Sequence, residues 1–153
     1  MGGPGNFSIE KATAEDATKI RSLILRSAIN PTALDWRRFV VARTAPEREF
    51  IGCGQIKLHA DGTHELASIA VVPEWRGRGV GRAVIEALLA AHTGELYLMC
   101  QSSLGGLYTR FGFYELNEEK MPKYFRRVSK LAGVLENLSQ AGEHLLVMYR
   151  PLQ

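Results

Sequence analysis

The spacing of apolar residues changes several times along the chain, and each change marks an expected element. Phe7 and Ile9 alternate with polar neighbours, a short strand signal. The segment TAEDATKIRSLILRSA, Thr13 to Ala28, then places Ala17, Ile20, Ile24 and Ala28 at helical spacing. Thr13 stands as its N-cap with Asp16 three residues on, a variant of the capping box. Pro31 disfavours a helical conformation at Asn30, so NPTALDW is expected to break the helix.

Three strand-like runs follow: RRFVVART, EFIGCGQIKLHA and HELASIAVV, separated by APERE and DGT. Asp61-Gly62 is a hairpin signal, because glycine takes the positive φ that such turns need. Short links between the runs imply an antiparallel meander. After Val72 the period lengthens, and Val80, Val84, Ala87, Leu88 and Ala91 fall on one face of a helix. TGELYLMC returns to a strand, and strand–helix–strand order implies parallel pairing through a right-handed crossover. A short helix is expected from Ser103 through Tyr108, stopping at Gly112, and then a strand in FGFYEL. A long helix over 122–140 carries Tyr124, Val128, Leu131, Leu135 and Leu138, and HLLVMYR closes the chain as a strand. The expected fold is a mixed α/β sheet of six to seven strands, antiparallel first and parallel between the fourth and fifth, flanked by helices.

Composition narrows this picture modestly. A chain of 153 residues fits one domain, expected over 7–153 behind a flexible leader at 1–6 that reads MGGPGN. The net charge of +3 admits an anionic ligand without marking the whole chain as a nucleic-acid binder. Cys53 and Cys100 lie inside strand-like runs, outside any CxxC or Cys/His cluster. They read as small buried hydrophobes in a reducing, cytoplasmic setting, with no metal expected. No apolar run reaches membrane-spanning length, and no secretory signal opens the chain.

The chemistry concentrates in VVPEWRGRGVGRAV, a strand end running into a helix start. A helix N-terminus presents unpaired N–H groups and a partial positive charge, so it attracts phosphate. Gly77, Gly79 and Gly81 remove Cβ atoms that would hold a ligand away, while Arg76, Arg78 and Arg82 add charge at the rim. The bland alternative is a sharp turn with a solvated basic rim. A P-loop needs Gly-Lys-Ser/Thr after the glycines, and a dinucleotide fingerprint needs Gly where Arg82 stands. A lone RGRG between apolar elements is too short for an RNA-binding repeat.

What remains, Arg76-x-x-Gly79-x-Gly81, resembles the (Q/R)xxGx(G/A) signature of the GCN5-related N-acetyltransferases, the GNAT family. HELASIAVVPEWRGRGVGRAVIEALL is similar to that family's fourth strand, phosphate loop and following helix. LYTRFGF, Leu107 to Phe113, resembles its second signature, an aromatic helix ending in Tyr-x-x-x-Gly-Phe. The resemblance covers about Phe50 to Tyr114 and implies acetyl transfer from acetyl-CoA, as co-substrate, to a primary amine by direct attack in a ternary complex.

The resemblance also implies roles. The backbone of Ile69, Ala70 and Val71 would pair with the pantetheine arm, and an N–H there would polarise the thioester carbonyl. Arg76 and the N–H groups of Arg78, Gly79, Val80, Gly81 and Arg82 would surround the pyrophosphate. Tyr108 matches the position that protonates the departing thiolate; by itself it reads equally as a core aromatic beside Phe111 and Phe113. Glu65 matches a strand-4 glutamate base in some members; by itself it reads as a solvated residue beyond a hairpin. His64 is a neighbouring base by chemistry alone, whereas His59, His92 and His144 carry no motif.

Two departures bear on the substrate. Met99 stands where ribosomal-protein-directed members carry a strand-5 glutamate, which disfavours such a substrate. CQSSLGGLY lacks the family's CoA-contacting Asn, leaving Gln101, Ser102 or Ser103 as substitutes. The amine, on a small molecule or a peptide, would be held between 29–36 and 118–143. The latter carries Lys120, Lys123, Arg126, Arg127 and Lys130, which read as a solvated face or as a site for an anionic group. Its apolar stripe serves either core packing or a homodimer seam. A reading from another class is a non-catalytic acyl-CoA-binding or sensor domain that keeps the cradle without a base.

Overall fold

The computed structural model describes residues 6–136 and 142–153. Leader residues 1–5 and Leu138 of the expected last helix lie outside the described residues. The strands are β1 (Phe7–Lys11), β2 (Phe39–Thr44), β3 (Phe50–Leu58), β4 (His64–Val71), β5 (Leu96–Gln101), β6 (Tyr114–Glu115) and β7 (Leu145–Arg150). The helices are α1 (Ala17–Arg26), α2 (Val80–Ala90), α3 (Gly105–Thr109) and α4 (Lys123–Glu136). The strands form one mixed sheet in the order β1-β2-β3-β4-β5-β7-β6, with β4 and β5 parallel as the strand–helix–strand pattern requires. The chain divides into two compact units, one holding residues 1–57 and 66–93, the other 58–65 and 94–153.

In the first unit, β2 pairs antiparallel with both β1 and β3. Ile20, Leu23 and Ile24 of α1 pack with Phe39, Val41, Cys53 and Ala70 in its core. Thr13 caps a single tight turn at Ala14–Asp16 rather than α1 itself, which starts one turn later with Asp16 as its N-cap. The Thr13 N–H donates to the Asp16 carboxylate at 2.8 Å. That carboxylate also accepts from Arg43 at 2.6 Å. The helix ends at Arg26, short of Ala28. The Ser27 hydroxyl bonds the Leu23 carbonyl at 2.7 Å, and Ala28 turns left-handed at φ 55°.

The seat of α2 is cut into β3. A Cβ at Gly54 would come within 2.6 Å of both Val84 Cγ1 and Ile69 Cδ1, and one at Gly52 within 3.1 Å of Val80 Cγ1. These glycines let Val80, Val84, Ile85 and Leu88 bury against the strand. Ile85 joins the expected face, while Ala91 lies beyond the helix and is exposed.

The second unit begins with the turn from β3 to β4. The His59 N–H bonds the Thr63 carbonyl at 2.9 Å, and Gly62 takes φ 89°, as Asp61-Gly62 predicts. Glu65 pairs in parallel with Tyr97 of β5, and β7 pairs antiparallel with both β5 and β6. Strand β6 is shorter than FGFYEL, because Gly112 turns at φ 91° and Phe113 enters the core. Leu116, Met121, Phe125 and Val147 form a cluster against which Tyr97, Met99, Tyr124 and Tyr149 pack. The expected stripe of α4 packs only at its start. Tyr124 packs against that cluster and Val128 is half-buried, but Leu131 and Leu135 are 63% and 59% exposed, so core packing does not account for them.

Candidate active site

The first unit carries the expected cofactor-binding residues, and they start where β4 departs from regular pleating. Ser68 sits at φ 60°, a left-handed conformation uncommon outside glycine, immediately before Ile69–Val71. Its hydroxyl accepts from Gln55 Nε2 at 2.9 Å, and its carbonyl faces the Cys53 thiol at 3.6 Å. Burial pushes the Cys53 thiol up to about 12, so it stays protonated and can donate. Gln55 also donates to the Ala33 carbonyl at 3.2 Å, tying the 29–36 loop to this irregular stretch. No pattern in LASIAV announces the irregularity; its alternation reads as an unbroken strand.

From Val71 the chain makes one turn of tight helix at Pro73–Trp75, and the Arg-Gly loop follows. Gly77 and Gly79 take φ 77° and 85°, which the absence of a Cβ permits. Gly79 is the N-cap of α2, and the first helical bond runs from the Ala83 N–H to the Gly79 carbonyl at 3.0 Å. The N–H groups of Val80, Gly81 and Arg82 precede that bond and have no partner within the helix. A Cβ at Gly77 or Gly79 would meet nothing within 4 Å, so the glycines border open space. This arrangement fits a pyrophosphate.

The arginines have local partners. Arg76 Nε donates to the Val71 carbonyl at 3.1 Å, and Arg78 lies 4.9 Å over the Trp75 ring. Arg82 stands 3.6 Å from Glu86 one turn along α2. Their charge adds to the rim, while the backbone supplies the directed donors.

The second unit carries the two titratable candidates. Tyr108 is buried on α3 and meets Phe113 edge-on at 6.1 Å. Burial, and then the charge on Cys100, push its hydroxyl up to about 12, and among the described residues it has no hydrogen-bond partner. Tyr108 is thus a core aromatic whose hydroxyl stays protonated. Glu65 is not a solvated hairpin residue: it is buried, and its Oε1 lies 2.8 Å from His59 Nε2. His59, which carries no motif, is the partner that the sequence does not announce for Glu65. His64 opens β4 and is half-buried.

Met99 packs against the cluster of Leu116, Met121, Phe125 and Val147, with no carboxylate in its place. Ser102 donates to Glu143 at 2.9 Å, and the Ser103 N–H reaches the same carboxylate at 3.3 Å. On α4, Lys123, Arg126, Arg127 and Lys130 line a cavity of about 330 Å³. Arg126 donates to the Glu118 and Glu119 carbonyls, fixing the turn ahead of the helix. Among the described residues no group of three or more His, Cys, Asp or Glu could hold a metal ion. Among them, too, no helix is long and apolar enough to cross a membrane.

Comparison with known proteins gives these features a context. Residues 35–115 match the family described as acetyltransferase (GNAT) domain. An uncharacterised N-acetyltransferase of Chlorobaculum tepidum is 30% identical over 79 residues, and the match spans 49% of this chain and about half, 50%, of that one. A Mycobacterium tuberculosis protein solved in complex with CoA superposes at a TM-score of 0.69, with 22% identity over 95% of this chain and 99% of that one. N-acetylglutamate synthase from Neisseria gonorrhoeae, complexed with coenzyme A and L-arginine, also gives a TM-score of 0.69. Its identity is 21%, and the match covers 96% of this chain and 33% of that one. At these identities the two structures establish a shared fold.

Proposed function

The chain belongs to the acetyltransferase (GNAT) domain family, and from that membership we propose that it transfers acetyl from acetyl-CoA to a primary amine by direct attack in a ternary complex. The observation that carries this reading is the α2 start: three N–H groups lie ahead of the first helical bond, behind glycines bordering open space. Arg76, Arg78, Gly79, Val80, Gly81 and Arg82 would hold the pyrophosphate. The backbone of Ile69, Ala70 and Val71, beyond the irregularity at Ser68, would hold the pantetheine arm. Acetyl-CoA supplies the acetyl group as an activated thioester.

This chain's own groups manage the protons. The Glu65 carboxylate takes one from the ammonium, which frees the nitrogen lone pair. That lone pair forms the new N–C bond as the C–S bond breaks, and the Tyr108 hydroxyl gives its proton to the sulfur. The nitrogen's second proton restores Tyr108 through solvent, and Glu65 releases the first. The net products are an amide, the CoA thiol and one proton. The cations lining the α4 cavity favour an acceptor that carries an anionic group besides its amine. That supports a free amino acid over a polyamine.

The test is thiol release from acetyl-CoA across amino acids, polyamines, aminoglycosides and peptides. Turnover with an anionic amino acid, falling when Lys123 and Arg127 are both changed to Ala, is the expected result. Acetyl-CoA binding without thiol release for any amine would replace the enzyme by a sensor domain.

A further inference from the structure

His59 ends the β3 arm of the turn, and its ring is held on three sides. Nε2 lies 2.8 Å from Glu65 Oε1. The ring tilts 30° over Tyr124 at a centroid distance of 4.2 Å and meets Phe125 edge-on at 5.5 Å. Phe125 is itself fully buried in the α4 cluster, so the imidazole is braced by side chains that do not move freely. The His59 and Glu65 side chains are 15% and 6% exposed. With Glu65 ionised, as a general base requires, its carboxylate only accepts, and the nitrogen facing it then carries the proton.

We propose that His59 is the positioning residue of Glu65. Its Nε2–H donates to Oε1, fixes the carboxylate's rotamer and favours the ionised, proton-accepting form. The inference rests on the reading of Glu65 as the base, and it adds a function for a histidine without a motif. The titratable groups around the pair are Tyr124 from α4, Tyr97 beside Glu65 on β5, and Asp61 within the turn. His64 precedes Glu65 on β4, and Lys57, two residues before His59, is also buried. Burial, then the charge on Glu65, hold the Tyr124 hydroxyl above its ordinary value, as a charged carboxylate nearby requires. Asp61 is held below its ordinary value, first by its bonds with Thr63.

Two variants separate donation from packing. His59→Phe keeps a ring against Tyr124 and Phe125 and removes the donor. His59→Gln removes the ring and keeps an N–H at similar reach. With a responsive amine, His59→Phe is expected to lower kcat by about tenfold, the scale on which losing an orienting hydrogen bond acts. The KM for acetyl-CoA should stay unchanged, and the acid limb of the pH profile should move to higher pH. His59→Gln should recover kcat to within about threefold, since one N–H donor replaces another. A purely packing role gives the opposite ranking, with Phe near wild type and Gln impaired, and overturns the proposal. A wild type that releases thiol beside an equally active His59→Phe also overturns it, leaving the acetyltransferase reading intact. A wild type silent with every amine overturns that reading first, and this inference with it.

Discussion

A Cβ on Gly54 would stand 2.6 Å from Val84 Cγ1, closer than two carbons pack. The seating of α2, and with it the turn proposed to hold the pyrophosphate, therefore depends on a side chain that β3 lacks. Gly54→Ala must push the helix away, at a cost of about 1–3 kcal/mol. Denaturant unfolding should show that loss, and acetyl-CoA affinity should fall with it. Unchanged stability and affinity would mean that α2 is not seated through this glycine.

Gly81 offers the complementary experiment. A Cβ there meets Val71 Cγ2 at 3.6 Å, an ordinary contact, and Gly81 has no positive φ to lose. Gly79 has that restriction at φ 85°, so substitution there strains the turn as well as filling it. Gly81→Ala, which the last position of the signature admits, should bind acetyl-CoA like wild type. The bulkier Gly81→Val should keep the fold and weaken acetyl-CoA by about tenfold, or about 1.4 kcal/mol. Unaltered affinity of Gly81→Val by calorimetry would remove the cradle.

Tyr108, pushed up to about 12, stays protonated throughout any practical assay. The donor form is fully present below that value, so its ionisation adds no limb to the rate profile between pH 6 and pH 10. Tyr108→Phe should lower kcat by about 100-fold with the profile's shape retained. Full turnover in this variant across the range would assign the thiolate's proton elsewhere.

Asp16 reports on the first unit's acid stability. Burial pushes its carboxyl up, but the Arg43 and Thr13 hydrogen bonds outweigh that and hold it below its ordinary 3.8. A depressed carboxyl contributes stability above its unfolded value and loses it as pH falls through the folded one. Asp16→Asn should therefore cost about 1–3 kcal/mol at neutral pH, and the gap to wild type should close below about pH 4. A gap independent of pH would show that the carboxylate's charge contributes nothing.

The element order, the parallel β4–β5 pair and the sharp Arg-Gly turn into α2 were legible because each has a local cause. Helical spacing, Asp61-Gly62 and the glycines around Val80 act within a few residues of themselves. Departures arise where distant residues decide. Ser68 turns left-handed in a run that alternates like any strand, beside groups from β3. His59 pairs with a residue across a turn and packs under α4, more than sixty residues on. Leu131 and Leu135 continue a periodic stripe past the part that finds a core, since spacing records a face and not its partner.

The bond from Arg76 Nε to the Val71 carbonyl has a further consequence for the (Q/R)xxGx(G/A) signature. It spans five residues and staples the loop's first residue to the strand end it has just left. A glutamine amide also carries an N–H on a long side chain, so both residues admitted there can drive the same staple. Position 76 thus asks for reach and a proton to share, whatever its charge adds at the rim. Arg76→Gln should pass unnoticed where Arg76→Met unpins the loop.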